Sequence, residues 1–402
     1  MRDLTLEQSA LIDFVEHMMC SIALQYGYQS IHFPILESLS LFQKSIGIET
    51  DIVGQEMYAF KDKNDETIAL RPEGTAGCLR ASLANSLIQR QKQKLFYTGP
   101  MFRRERPQRG RFRQFQQFGV EVYGYPSGLI DAELILMSQR IWEELELDNI
   151  TLEVNYLGSP ASRQEYHRVL SEYWEKHMDK LTDAEKQRAK ENPLRLLDSK
   201  NPELADIIHE APAIFDSLSD DEKACYASIL KQLDVYGIEY IESHRLVRGL
   251  DYYSDFIFEW VSADLGAQST ICGGGRYDPL VKSMGEDIAA AGFAIGIDRV
   301  AELISESPQL PIRVSVCGKE PEHLLPCLIG LENIRHEYAI INIDPTAGKI
   351  KSKINAAKQD GADFIAIISD SEVKLISISD DNATQMTLTE FYQWYLSLSE
   401  GE

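Results

Sequence analysis

Residues 103–113, RRERPQRGRFR, gather six arginines against a single glutamate, and the segments on either side, 95–103 and 114–123, are apolar and rich in aromatics. Pro107 and Gly110 keep the basic stretch from being helical, so the pattern predicts two antiparallel strands joined by a long cationic loop. The whole chain carries a formal net charge of -23. An arginine island in so acidic a chain implies an anionic ligand. The acidic total itself reads as a solvated, self-repelling surface and argues against indiscriminate nucleic-acid binding, which needs clustered Lys and Arg.

At 402 residues the chain exceeds the size at which one core keeps growing, so two or three domains are expected. Apolar residues at Leu6, Leu11, Phe14, Val15, Met18 and Ile22 predict an amphipathic helix over 5–26. A short strand at 30–33 ends at Pro34, and helical periodicity resumes over 36–47. Segments 57–61 and 67–71 flank the turn DKND and read as a hairpin that delivers RPEGTAG, residues 71–77. After a strand at 151–157, the stretch 159–242 is rich in Glu, Lys, Asp and Ala at helical spacing and reads as a helical insertion.

Strand character returns where Phe256, Phe258 and Trp260 alternate with Ile257, Glu259 and Val261. A further strand at 269–272 runs into three consecutive glycines. Strands and helices without regular βαβ alternation predict an α+β fold, an antiparallel sheet flanked by helices, and disfavour a dinucleotide-binding design. Beyond residue 311, IRVSVCG, EYAIINID and DFIAIIS are buried-strand candidates separated by helical stretches, the pattern of a small α/β unit.

Six cysteines are scattered without a CxxC pair or zinc-ligand spacing, so they read as reduced thiols, and no structural metal is expected. No apolar run approaches the length of a membrane span and the first residues do not read as a leader, which predicts a cytoplasmic protein with no membrane partner. GGGRYD, residues 273–278, fits neither a P-loop nor a dinucleotide fingerprint; close backbone approach to a bound ligand is the better reading.

Taken in order, RPEGTAG (71–77), the arginine island (103–113), RGLDYY (248–253), CGGGRYD (272–278) and AAGFAIGIDR (290–299) resemble the histidyl-tRNA synthetases, class II aminoacyl-tRNA synthetases of bacterial type, over nearly the whole chain. The resemblance implies a class II catalytic domain over 1–310, with the helical insertion at about 159–242, and an anticodon-binding α/β domain over 311–402. It also implies histidine, ATP with Mg²⁺ and tRNA(His) as partners, and a homodimer.

Activation joins two anions, the amino-acid carboxylate and the α-phosphate of ATP, so the site must surround the phosphorus with fixed positive charge. The resemblance gives Arg103 and Arg248 to that task as catalytic residues, Arg111 and Arg113 to the triphosphate, and Phe115 and Arg299 to the two faces of adenine. It gives Glu73, Thr75 and Gln117 to the histidine ammonium group, and Glu121, Tyr253 and Tyr277 to its imidazole. Arg106 and Gln108 resemble residues that read the acceptor end of tRNA(His).

Pro279 stands where relatives usually carry glycine, and residues 311–402 hold eight basic against fourteen acidic side chains, although Lys349, Lys351, Lys353 and Lys358 give one helix cationic character. Two other readings remain open: a non-aminoacylating paralogue that regulates ATP phosphoribosyltransferase, and a histidine or tRNA sensor. The former usually lacks RGLDYY and the C-terminal domain, both of which are present here.

Overall fold

The computed structural model describes residues 2–47, 50, 52–89, 91–105, 110–197, 199, 201–244, 246–247, 250, 252–304, 311–336, 338–369, 372–380 and 382–398. The chain divides into two compact units, Met1–Glu306 and Ser307–Glu402.

The first unit is built on an eight-stranded sheet in the order Gln29–Ser30, Gln93–Phe102, Gln114–Tyr123, Ala290–Gly296, Thr270–Arg276, Ser254–Ser262, Ile150–Tyr156, Ile241–Glu242. Its central strands pair antiparallel throughout, and each edge is a two-residue strand pairing parallel. This is the antiparallel sheet that the period-two patterns predict.

Alternation along Gln114–Tyr123 assigns the two faces. Phe118, Val120 and Val122 point into the main core with Phe96, Phe258 and Phe293, and the phenyl rings form a row across neighbouring strands with centroids 6.2–6.4 Å apart. Gln117, Gly119, Glu121 and Tyr123 occupy the opposite face.

Helices Leu6–Gln25, Leu129–Glu144 and Asp220–Tyr236 cover the core face. The first begins at a capping box, with Thr5 and Gln8 satisfying each other's backbone donors, and buries Ile12, Val15, Met19 and Ile22. Leu6, counted into the stripe from spacing, lies outside it at 91% exposed.

The stretch expected to be helical, 159–242, holds helices Pro160–Glu175, Asp183–Glu191, Ala205–Glu210 and Asp220–Tyr236, but its end, Ile241–Glu242, is the edge strand of the sheet. They do not form a separate body: Tyr226, Ile229 and Leu233 enter the main core, while Tyr166, Leu170 and Trp174 pack with Tyr97, Tyr253 and Tyr277 in the second cluster.

Three local differences from the sequence reading have tertiary causes. Residues 36–38 form strand Leu36–Ser38, paired with Thr67–Leu70, before helix Leu39–Ile46 begins, because Glu37 turns inward to take the Arg80 guanidinium at 2.6 and 3.0 Å. The strand at 30–33 shortens to Gln29–Ser30. The three glycines belong inside strand Thr270–Arg276 and do not follow it; a Cβ on Gly274 would sit 2.6 Å from Gly292 O and from the Phe258 ring.

Arg276, the cation of GGGRYD, is fully buried beneath the sheet. Its Nε lies 2.9 Å from Asp131 Oδ1, and its Nη2 donates to Asp131 Oδ2 at 3.2 Å. The same Oδ2 accepts Gly128 N at 2.6 Å, which ties the start of helix Leu129–Glu144 to the glycine strand. This arginine is structural.

In the second unit the sheet runs Ala339–Asp344, Ile312–Gly318, Phe364–Ser369, Glu372–Ser377, Ala383–Thr387, parallel among the first three strands and antiparallel thereafter. Helices Leu325–Glu332, Ile350–Gln359 and Leu388–Ser397 flank it. Of the four lysines on 349–358, Lys353 is buried, its Nζ donating to Thr346 O and lying 3.6 Å from Asp344 Oδ2, while Lys349, Lys351 and Lys358 are exposed. Among the described residues no helix is long and apolar enough to cross a membrane.

Removing one partner of a buried ion pair strands the other charge. Asp131→Ala is expected to destabilise the first unit by about 3–5 kcal/mol, read as a lowered urea midpoint in circular dichroism.

Candidate active site

A cavity of about 280 Å³ opens on the sheet face opposite the main core, lined among others by Glu73, Thr75, Arg103, Arg111, Phe115, Gln117, Tyr253, Glu259 and Arg299. Residues from four separated stretches of sequence therefore meet around one space.

The turn after strand Thr67–Leu70 forms part of its wall. Glu73 is buried, and its carboxylate caps helix Thr75–Ala84 by accepting Thr75 N at 2.7 Å and Ala76 N at 3.0 Å. Burial pushes its pKa up, and the two amides pull it back. Gln117 Oε1 accepts Gly74 N at 3.0 Å, which fixes the carboxamide while leaving Oε1 a further lone pair.

Deeper on the same face, Glu121 is 1% exposed. Its Oε2 accepts the Tyr277 hydroxyl at 2.5 Å and its Oε1 the Tyr97 hydroxyl at 3.2 Å. Burial dominates and lifts the Glu121 pKa to about 8, against the lowering pull of the Tyr277, Thr75 and Tyr97 hydroxyls. Gly292, opposite Glu121 in the register, makes room for it: a Cβ there would come 2.2 Å from Glu121 Oε2.

Three arginines, Arg103, Arg111 and Arg299, line the same cavity. Arg103 donates from Nε to Pro72 O at 2.8 Å, and its guanidinium lies 5.4 Å from the Phe115 ring centroid. Arg299 donates from Nε to Gly110 O at 3.1 Å and from Nη1 to Thr270 O, spanning the cleft between the arginine loop and the glycine strand. Burial lowers the Arg299 pKa, helped by the neighbouring charges of Arg111 and Arg103 and opposed by Glu105 and Glu259. Arg111 pairs with Glu105 at 3.0 Å. Glu259 accepts the Thr270 hydroxyl at 3.0 Å.

Of the residues singled out from sequence, Glu73, Thr75, Arg103, Arg111, Phe115, Gln117, Tyr253 and Arg299 line the cavity. Glu121 and Tyr277 sit beneath it, joined by their hydrogen bond. Arg113 does not line it: its side chain is exposed, and its carbonyl accepts Arg103 N at 3.0 Å, extending the hairpin ladder. Arg106, Gln108 and Arg248 lie outside the described residues.

Sequence reasoning missed Tyr97, Phe112 and Asp298. The Tyr97 ring fills the space left by two glycines, since a Cβ on Gly74 or Gly119 would approach it to 2.1 Å. Gly119 is its cross-strand partner, so the signal was a tyrosine facing a glycine in adjacent strands.

The sheet and the cavity define a class of protein whose relatives are known. A crystal structure of apo Staphylococcus aureus histidyl-tRNA synthetase superposes with a TM-score of 0.78 and 29% identity, covering 98% of each chain. The family profile described as histidyl-tRNA synthetase matches residues 1–300. Proteins named histidine–tRNA ligase are similar over nearly the full length: that of Hydrogenovibrio crunogenus is 43% identical over 98% of this chain and 94% of its own, and one from Legionella pneumophila 41% identical over 99% and 97%. The chain belongs to the histidyl-tRNA synthetase family.

Glu121 sets a pH dependence of stability. An unfolded chain releases its proton near 4.5, whereas the folded protein holds it to about 8, so between these values the native state binds more protons and stability falls as pH rises. Glu121→Gln is expected to flatten this decline, measured as the difference in melting temperature between about pH 5 and pH 8.5 in variant and parent.

Proposed function

We propose that this chain ligates histidine to tRNA(His) at the cavity, first forming histidyl-adenylate and pyrophosphate from histidine and ATP, then passing the histidyl group to the tRNA 3′ end and releasing AMP. The observation that carries this reading is a single cavity lined both by carboxylate, carboxamide and hydroxyl groups of Glu73, Gln117, Thr75 and Tyr253 and by the guanidinium groups of Arg103, Arg111 and Arg299.

Glu73, Thr75 and Gln117 take the ammonium group of histidine. Its imidazole reaches toward Tyr253 and the Glu121–Tyr277 pair. A carboxyl that titrates near 8 and an imidazole that titrates near about 6.5 hold one proton between them at neutral pH, so either tautomeric arrangement keeps the pair hydrogen-bonded without an unpaired buried charge. An amino acid without such a side chain leaves the buried carboxyl unmatched.

In the first step the histidine carboxylate attacks the α-phosphorus and the bond to pyrophosphate breaks. No base is required because the nucleophile is already ionised. Arg103 and Arg248 neutralise charge at the α-phosphate, Arg111 meets the triphosphate, and Phe115 and Arg299 hold adenine; Arg113, exposed outside the cavity, takes no part in this reading. Mg²⁺ would enter with the ATP and supply further positive charge at the phosphates. Arg106 and Gln108 contact the acceptor end of the tRNA, and the second unit, with Lys349, Lys351 and Lys358 exposed, binds the anticodon side. The enzyme works as a homodimer in the cytoplasm.

The competing reading, a regulatory or sensing paralogue, is not favoured: RGLDYY and the second unit are both present, and relatives named as ligases match end to end.

Exchange of pyrophosphate into ATP is expected to depend on histidine and to be stimulated about 10⁴-fold less by other amino acids; equal stimulation by another amino acid overturns the reading. Arg248→Ala is expected to slow activation about 10²- to 10⁵-fold in a burst-phase assay. Gln108→Ala is expected to lose tRNA charging while keeping exchange, which separates the tRNA contact from the chemistry.

A further inference from the structure

Arg2 lies outside every motif, yet its guanidinium reaches the cavity wall. The capping box at Thr5 starts helix Leu6–Gln25, which packs against helix Ile297–Ala301, and this brings Arg2 beside the Asp298 carboxylate. Arg2 Nη2 lies 2.8 Å from Asp298 Oδ1, and its guanidinium carbon stands 3.5 Å from the centroid of the Phe112 ring. Asp298 and Phe112 both line the cavity.

We propose that Arg2 is a positioning residue for the nucleotide, holding Phe112 and Asp298 so that the returning limb of the arginine loop is ordered before ATP arrives. The inference rests on the reading that ATP binds at Arg103 and Arg299.

Three contacts define what Arg2 adds. Asp298 Oδ2 accepts Gln116 N at 2.6 Å, so this carboxylate, with a side chain only 6% exposed, divides its two oxygens between the limb and Arg2. At the limb's other end Gly110 donates from N to Glu302 Oε1 at 3.0 Å and accepts Arg299 Nε at 3.1 Å. The backbone is thereby pinned at Gly110 and at Gln116 from the side of helix Ile297–Ala301. Between those pins the half-buried Phe112 ring lies under the Arg2 guanidinium.

An exposed ion pair alone would contribute little. Here the charge is shared by a largely buried carboxylate and an aromatic face, and both partners belong to the wall. Ordering that wall in advance lowers the entropy lost when a ligand binds it. None of these contacts touches Glu73, Gln117 or Glu121, so the effect is confined to the nucleotide.

The test compares the full chain with Arg2→Ala and Arg2→Lys by histidine-dependent exchange, by thermal melting, and by the rate of tryptic cleavage after Arg111 and Arg113 without nucleotide. Arg2→Ala is expected to raise KM for ATP about 5- to 20-fold, leave KM for histidine within about twofold, keep the melting temperature within about 2 °C and speed cleavage of the limb. Arg2→Lys, which keeps a cation for Asp298 and Phe112, recovers most of the loss. An unchanged KM for ATP in Arg2→Ala overturns the proposal, and so does a parallel rise in both KM values with a lowered melting temperature, which marks a merely structural residue. If the parent chain shows no histidine-dependent exchange, the ligase reading is what fails; the tryptic rates still decide whether Arg2 holds the limb, equal rates overturning it.

Discussion

Register in the long hairpin is the constraint on which the remainder depends. Strand Gln114–Tyr123 is buried on both faces, apolar toward the helices and polar toward the cavity, so a one-residue slip would drive Glu121 and Gln117 into the row of phenyl rings and lift Phe118 and Val120 into the cleft. Glycines lock the pairing. Gly119 leaves space for Tyr97 and Gly292 leaves space for the Glu121 carboxyl, and any other alignment sets a Cβ against one of them.

Charge is distributed by the same logic. Arg276 is neutralised by Asp131 and spends its cation on the fold. Arg103 and Arg299 are held by main-chain carbonyls of Pro72, Gly110 and Thr270, groups that orient a guanidinium without cancelling it. An arginine stays ionised even when burial lowers its pKa. The result is two guanidinium groups, those of Arg103 and Arg299, kept available to an anionic ligand at one place in a strongly acidic protein.

Much of this was legible in the residues. The arginine island between two aromatic runs gave the hairpin, and period-two alternation at Phe256–Trp260 gave a strand whose odd positions, Ile257 and Glu259, face away from the main core. Harder to read were features set by distant partners. Leu36–Ser38 has helical spacing but is drawn into a sheet beside the Glu37–Arg80 pair, and the strand read as 269–272 extends through the triple glycine because Gly292 of the neighbouring strand approaches it closely. Arg2, Phe112 and Asp298 carry no common motif. Only packing of one helix on another makes them neighbours.

The order of strands has a consequence during synthesis. Gln114–Tyr123 pairs on one side with the strand just before it, but its other side belongs to Ala290–Gly296, which leaves the ribosome about 170 residues later. At typical elongation rates this edge stands open for roughly 10–30 s, presenting unpaired amides and carbonyls to any other nascent chain. The strand begins at the exposed Arg113 and Gln114, a charged and polar flank of the kind that discourages edge-to-edge pairing.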